Sequence, residues 1–143
     1  MHSFVYPINL TEEREGGFLV TCRDIPDVIT QGESRAQALE EAEGALQAAI
    51  EMRIEDGMDI PPASRAKPGE HWVAVPINTA MKAAVYLAMR DQGISKSELA
   101  RRLGVDEKEA RRMLNPRHRT KVPALEHALQ VLGRRAELRV SEA

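Results

Sequence analysis

The sequence predicts an α+β fold in which a small sheet-and-helix module precedes a small all-helical one. Short strand-like segments, the first with apolar residues at period two, recur within the first 31 residues and at 71–75, whereas a helical period governs most of the rest. Charge divides along the same line. Residues 1–65 hold 5 Arg and no Lys against 13 Asp and Glu, a net −8, while 66–143 hold 15 Lys and Arg against 9 acidic residues, a net +6. A chain polarised in this way suits two modules with opposite partners, something cationic for the acidic half and nucleic acid for the basic half.

In the first module Phe4, Tyr6, Ile8 and Leu10 alternate with Val5, Pro7 and Asn9 as in a half-buried strand, and Pro7 argues for a sheet edge. A charged turn closes on Gly16-Gly17, and Phe18, Val20 and Cys22 share one face of a second strand. Val28-Ile29-Thr30-Gln31 reads as a third, so three short antiparallel strands are expected. Ser34 with Gln37 forms a capping box for a helix whose Leu39, Ala42, Leu46, Ala49, Ile50 and Ile54 make an apolar stripe, with Gly57 as its stop. Pro61-Pro62 and Pro68 cannot continue that helix, so 61–69 is expected to be a stiff, exposed connection between modules. His71 to Val75 then looks like a strand returning to the sheet, which gives β-β-β-α-β over 1–76 and leaves 77–143 as a second domain.

The second domain opens with Asn78 or Thr79 as a cap and runs as a helix through Met81, Ala84, Val85, Ala88 and Met89 to Gly93. Ser95 with Glu98, and Asp106 with Glu109, mark the starts of two short helices, and Asn115-Pro116 ends the second. Pro123 starts a final helix that stops at Gly133, and the alternating Ala136, Leu138 and Val140 predict a terminal strand.

The two short helices carry the strongest chemical signal. Leu99, Ala100 and Leu103 make one apolar face, Gly104 supplies the turn, and Ala110 with Met113 or Leu114 face back from the second helix, as a helix-turn-helix requires. Lys108, Arg111 and Arg112 then lie outward, followed by Arg117, Arg119 and Lys121, and Lys96 and Ser97 stand at the start of the first helix. From 96 to 121 there are nine Lys and Arg against four acidic residues, a density that displaces counterions from phosphates. A helix of about 10 Å diameter fits the major groove. Asp106, Glu107 and Glu109 crowd the helix start; they suit its dipole but repel phosphate, so they are expected as specificity elements that accept from cytosine N4 at a cost in affinity.

Other chemistry is faint. Cys22 has no second cysteine to pair with, and His2, His71, His118 and His127 are scattered, so neither a disulfide scaffold nor a metal site is expected and no cofactor is implied. Asp24 and Asp27 flank Pro26; turn capping is the expected role, and a shared divalent cation in a nuclease is the competing one. Trp72 is expected as a core or interface anchor. No apolar run approaches a membrane span and the first residues lack a signal-peptide pattern, so a soluble, cytoplasmic protein is expected.

Gly16-Gly17-Phe18, Asp24-Ile25-Pro26-Asp27, Ile29-Thr30-Gln31-Gly32 and Ala38-Leu39-Glu40-Glu41-Ala42 together resemble the N-terminal module of the HicB antitoxins. Gly93-Ile94-Ser95 through Leu103-Gly104-Val105 and Asn115-Pro116-Arg117-His118 resemble the helix-turn-helix of the same family, in the same order. The resemblance implies a reduced ribonuclease-H-like first module without catalysis, which masks HicA, a small cationic toxin that cleaves mRNA. It implies a second module that binds operator double-stranded DNA and represses the operon. A ligand-responsive transcription factor is the alternative from another class. Because each module is small and one helix-turn-helix makes few base contacts, a homodimer or homotetramer is expected.

Overall fold

In the computed structural model, which describes residues 1–142, the chain separates into two units, the first Met1–Ala80 and the second from Met81 onward. The first is built on strands β1 (Val5–Glu12), β2 (Phe18–Thr21), β3 (Ile29–Gly32) and β4 (His71–Ala74), with helix α1 (Arg35–Glu55) between β3 and β4. All pairings are antiparallel, in the spatial order β3-β2-β1-β4. The alternation places Tyr6, Ile8, Val20 and Val73 on one side, where they are buried against Ala38, Ala42, Leu46, Ala49, Ile50 and Ile54 of α1.

Local chemistry fixes the ends of α1. Ser34 is extended (φ −132°) and its Oγ accepts from the Gln37 N–H at 3.1 Å, while the Gln37 side chain accepts from the Glu33 N–H at 2.6 Å. At the other end Gly57 takes φ +67°, a left-handed turn that ordinary side chains avoid. Gly32 serves differently: a Cβ there would fall 2.4 Å from the Ala38 nitrogen, so the absent side chain lets β3 approach the start of α1.

Three expectations for this unit are corrected. Pro7 does not put β1 on the outside of the sheet, since β1 lies between β2 and β4. The two pairings are staggered: Val5–Ile8 meet β4, and Asn9–Glu12 meet β2. Pro7 therefore sits where only one flank carries a ladder, and its missing N–H interrupts nothing on the other. Nor is 61–69 a free connection between modules. It is a strap from α1 to β4, pinned by the Tyr6 hydroxyl donating to the Pro61 carbonyl at 2.7 Å and by Ser64 donating through its N–H and hydroxyl to the Asp24 carboxylate at 2.8 and 2.5 Å. Arg23 adds a bond to the Arg65 carbonyl and a two-pronged pair with Glu70. Trp72 is not a core residue either: Val73 points inward, and Trp72 on the edge strand is 57% exposed.

The second unit is helical. Its elements are α2 (Ile77–Gln92), within which the division between units falls, then α3 (Lys96–Leu103), α4 (Glu107–Leu114) and α5 (Val122–Val131). The Pro76 carbonyl accepts from the Ala80 N–H at 2.9 Å, so α2 starts ahead of Asn78 and Thr79 instead of being capped by them. One core joins Val85, Ala88 and Met89 of α2 with Leu99, Ala100, Ala110, Met113 and Leu114 and with Leu125, Ala128 and Leu129 of α5. Each large side chain so buried contributes roughly 1.5–3 kcal/mol. The expected terminal strand is not formed. A strand persists only where a neighbour supplies its ladder, and none among the described residues pairs with 134–142; Leu138 and Val140 are 74% and 85% exposed.

Candidate nucleic-acid interface

The α3–turn–α4 geometry follows from local bonds. The Ser95 hydroxyl accepts from the Glu98 N–H at 3.1 Å and starts α3. Gly104 ends it at φ +70°, with the Val105 N–H returning to the Ala100 carbonyl at 3.0 Å. The Asp106 carboxylate then accepts from the Glu109 N–H at 2.8 Å and starts α4. Ala100, only 4% exposed, and Ala110, fully buried, are small enough for the helices to cross closely.

Of the residues singled out by sequence, ten are exposed and Glu109 is half-buried. Lys96 and Ser97 stand on the first turn of α3; Glu107, Lys108, Arg111 and Arg112 lie on α4 with Asp106 as its cap; Arg117, Arg119 and Lys121 follow in the loop before α5. The structure assigns most of the acidic groups a local task. Asp106 is spent on the cap, Glu107 pairs with Arg111 at 2.9 Å, and Glu109 pairs with Arg112 at 3.3 Å. Glu98 likewise pairs with both Arg101 and Arg102. Hydrogen bonds from Arg101 and then Arg102 hold its carboxyl down at about 2, from an ordinary value of 4.5. Such exposed pairs orient the arginines at little energetic gain and open easily for a stronger anion.

Sequence reasoning missed the group beneath this surface. Lys82 of α2 is 1% exposed, and its Nζ donates to the Asn115 carbonyl at 2.6 Å and to the His118 carbonyl, with the Arg112 carbonyl at 3.5 Å. Thr120, also buried, directs its hydroxyl at the same Arg112 carbonyl. A lysine thus closes the C-terminal end of α4, where carbonyls lack helical partners and cations are favoured, and fixes the loop that carries Arg117, Arg119 and Lys121. The available signal was its spacing: 82, 85 and 89 share one helical face, which sets a charge in an apolar stripe.

In the first unit the two candidate metal-binding carboxylates turn to different partners. Asp24 accepts twice from Ser64, and Asp27 pairs with Arg53 at 2.8 Å. No cluster of three or more His, Cys, Asp or Glu suited to a metal occurs among the described residues. Burial raises the titration of the Cys22 thiol above its ordinary value, which favours the inert protonated form. Exposed carboxylates stand along α1 at Glu40, Glu41, Glu43 and Glu55 and in the turn after β1 at Glu13 and Glu15. No helix among the described residues is long and apolar enough to cross a membrane.

Residues 5–84 match the model of a family described as HicB-like antitoxin of bacterial toxin–antitoxin systems. Over 133 residues the chain is 38% identical to Antitoxin HicB of Escherichia coli strain K12, covering 93% of this chain and 96% of that one. Antitoxin HicB 1 of Photorhabdus laumondii is 36% identical over 94% of this chain and 86% of its own length, and Antitoxin HicB of Pseudomonas fluorescens 33% over 98% and 96%.

Proposed function

The chain belongs to the HicB-like antitoxins of bacterial toxin–antitoxin systems, and from that premise we propose that it divides an antitoxin's two tasks between its two units. The first unit binds and neutralises a HicA-like, mRNA-cleaving toxin. The second binds the operator of its own operon and represses it. Neither task calls for catalysis by this chain.

The observation that carries this reading is the coincidence of charge with architecture. Residues 1–80 carry a net −8 and residues 81–143 a net +6, so each unit has the field suited to one partner. Charge steers the first encounter with a cationic toxin, and exclusion of RNA from the toxin's active site needs a packed surface on the sheet or α1 as well. On the basic unit, α4 enters the major groove and the following loop lies along phosphates.

Arg111 and Arg112 test the division. Consecutive on α4, they point about 100° apart, so one reaches into the groove and the other toward a phosphate. Neither lies in the core, and alanine is the strongest helix former. Replacing both with Ala is expected to cost roughly 2–5 kcal/mol of operator affinity without lowering the melting temperature appreciably. The double variant should derepress its promoter in a reporter assay while still rescuing growth against the toxin. Loss of both activities in a normally folded variant would refute the division of labour.

A further inference from the structure

Residues 115–121 run between α4 and α5 outside any helix or strand, so side-chain bonds and turns must give the segment its shape. The Asn115 side chain accepts from the Arg117 N–H at 3.0 Å, and the Asn115 carbonyl accepts from the His118 N–H at 3.0 Å, which closes a tight turn at Pro116. His118 Nδ1 and Thr120 Oγ1 meet at 3.2 Å. Exposure alternates as a result: Arg117, Arg119 and Lys121 face outward, while His118 is half-buried and Thr120 buried. Lys82 ties this shape to α2, and the Thr120 hydroxyl ties it to the last turn of α4.

We propose that Lys82 is a positioning residue for DNA binding: its buried ammonium holds the loop so that Arg117, Arg119 and Lys121 meet the phosphate backbone while α4 reads bases in the groove. This rests on the operator binding proposed above. An ammonium has three donors, and the carbonyls of Arg112, Asn115 and His118 converge on this one. They gather the end of α4 and two points of the loop at a single charge. The loop cannot swing away from α4 while those bonds persist.

Filling the core does not call for a lysine. An apolar residue at 82 would complete the stripe formed with Val85 and Met89 without desolvating a charge. What the ammonium adds is a hold on backbone that no helix or strand supports. That order counts in binding, because a loop already fixed loses no freedom when it meets its partner. Lys82 is 1% exposed and lies beneath the surface that would face DNA, so it acts through the loop and not by contact. Its effect therefore falls on phosphate contacts, which raise affinity for any sequence, and spares the base readout of α4.

The test is fluorescence anisotropy of the full-length chain on two labelled duplexes, the sequence upstream of its own reading frame and a scrambled version of it, across a range of salt. Arg117→Ala with Arg119→Ala removes two phosphate contacts directly and is expected to lessen the log–log salt slope by roughly 1–2. Lys82→Met is expected to lessen it as much with both arginines present, weakening both duplexes about tenfold and leaving the ratio between them within about threefold of wild type. Adding the two alanines to Lys82→Met should then cost no more than about threefold further, since those contacts are already lost. An unmoved slope in folded Lys82→Met, fully additive losses, or a collapsed ratio at an unchanged slope would overturn the proposal. Should Lys82→Met not fold at the assay temperature, Thr120→Val carries the test: a slope lessened by at least about 0.5 is expected, and an unmoved one overturns the proposal. A wild-type chain that bound neither duplex would instead remove the operator reading, and the proposal with it.

Discussion

Single side chains decide local stability here through the bonds they close. The Tyr6 hydroxyl is buried and held above the ordinary phenol range, chiefly by desolvation, so it remains a donor to the Pro61 carbonyl. Tyr6→Phe keeps the ring and removes that donor; an unfolding free energy lower by about 1–2 kcal/mol is expected in a denaturant titration. Glu98 tests electrostatics by pH. Because its folded value of about 2 lies below the ordinary 4.5, its contribution is complete above 4.5 and is lost as pH falls toward 2. Glu98→Gln should therefore melt below wild type at neutral pH, with the gap narrowing from 4.5 downward and closing near 2. A gap independent of pH would point to lost packing instead.

At the scale of elements, what could be read from sequence was what depends on near neighbours. Ser34, Ser95, Asp106 and Gly104 act within four residues of themselves, and each sits at the helix end expected of it. The strap was misread because its anchors are remote in sequence, with Asp24 and Ser64 separated by 40 residues. Pro7 misled for a related reason: its strand becomes interior only when β4 returns beside it. The exposed set around α4 was legible from spacing, as was the cap at Asp106, and Lys82 went unnoticed because its acceptors lie about thirty residues downstream. Lys82→Met fills the same space but removes the buried donor that the Asn115 and His118 carbonyls share. We expect a loss of roughly 2–4 kcal/mol, with hydrogen exchange rising first at 115–120.

For the whole molecule, the opposed charges of the two units predict opposed partners with a shared sensitivity to salt. Lys96, Lys108, Arg111, Arg112, Arg117, Arg119 and Lys121 offer up to seven contacts, so the affinity of 77–143 for duplex DNA should fall with a log–log slope of roughly −3 to −6 per subunit. A flat salt response, measured by fluorescence anisotropy, would remove phosphate contact as the source of binding. The placement of β4 has a different consequence. Because β4 lies beside β1, with the Val75 N–H bonded to the Phe4 carbonyl at 2.9 Å, the chain enters and leaves the first unit at nearly one point. Such a unit behaves as a cassette: it closes on itself before the next segment begins, and its ends could be joined, or a different second unit attached, without redrawing a single strand pairing.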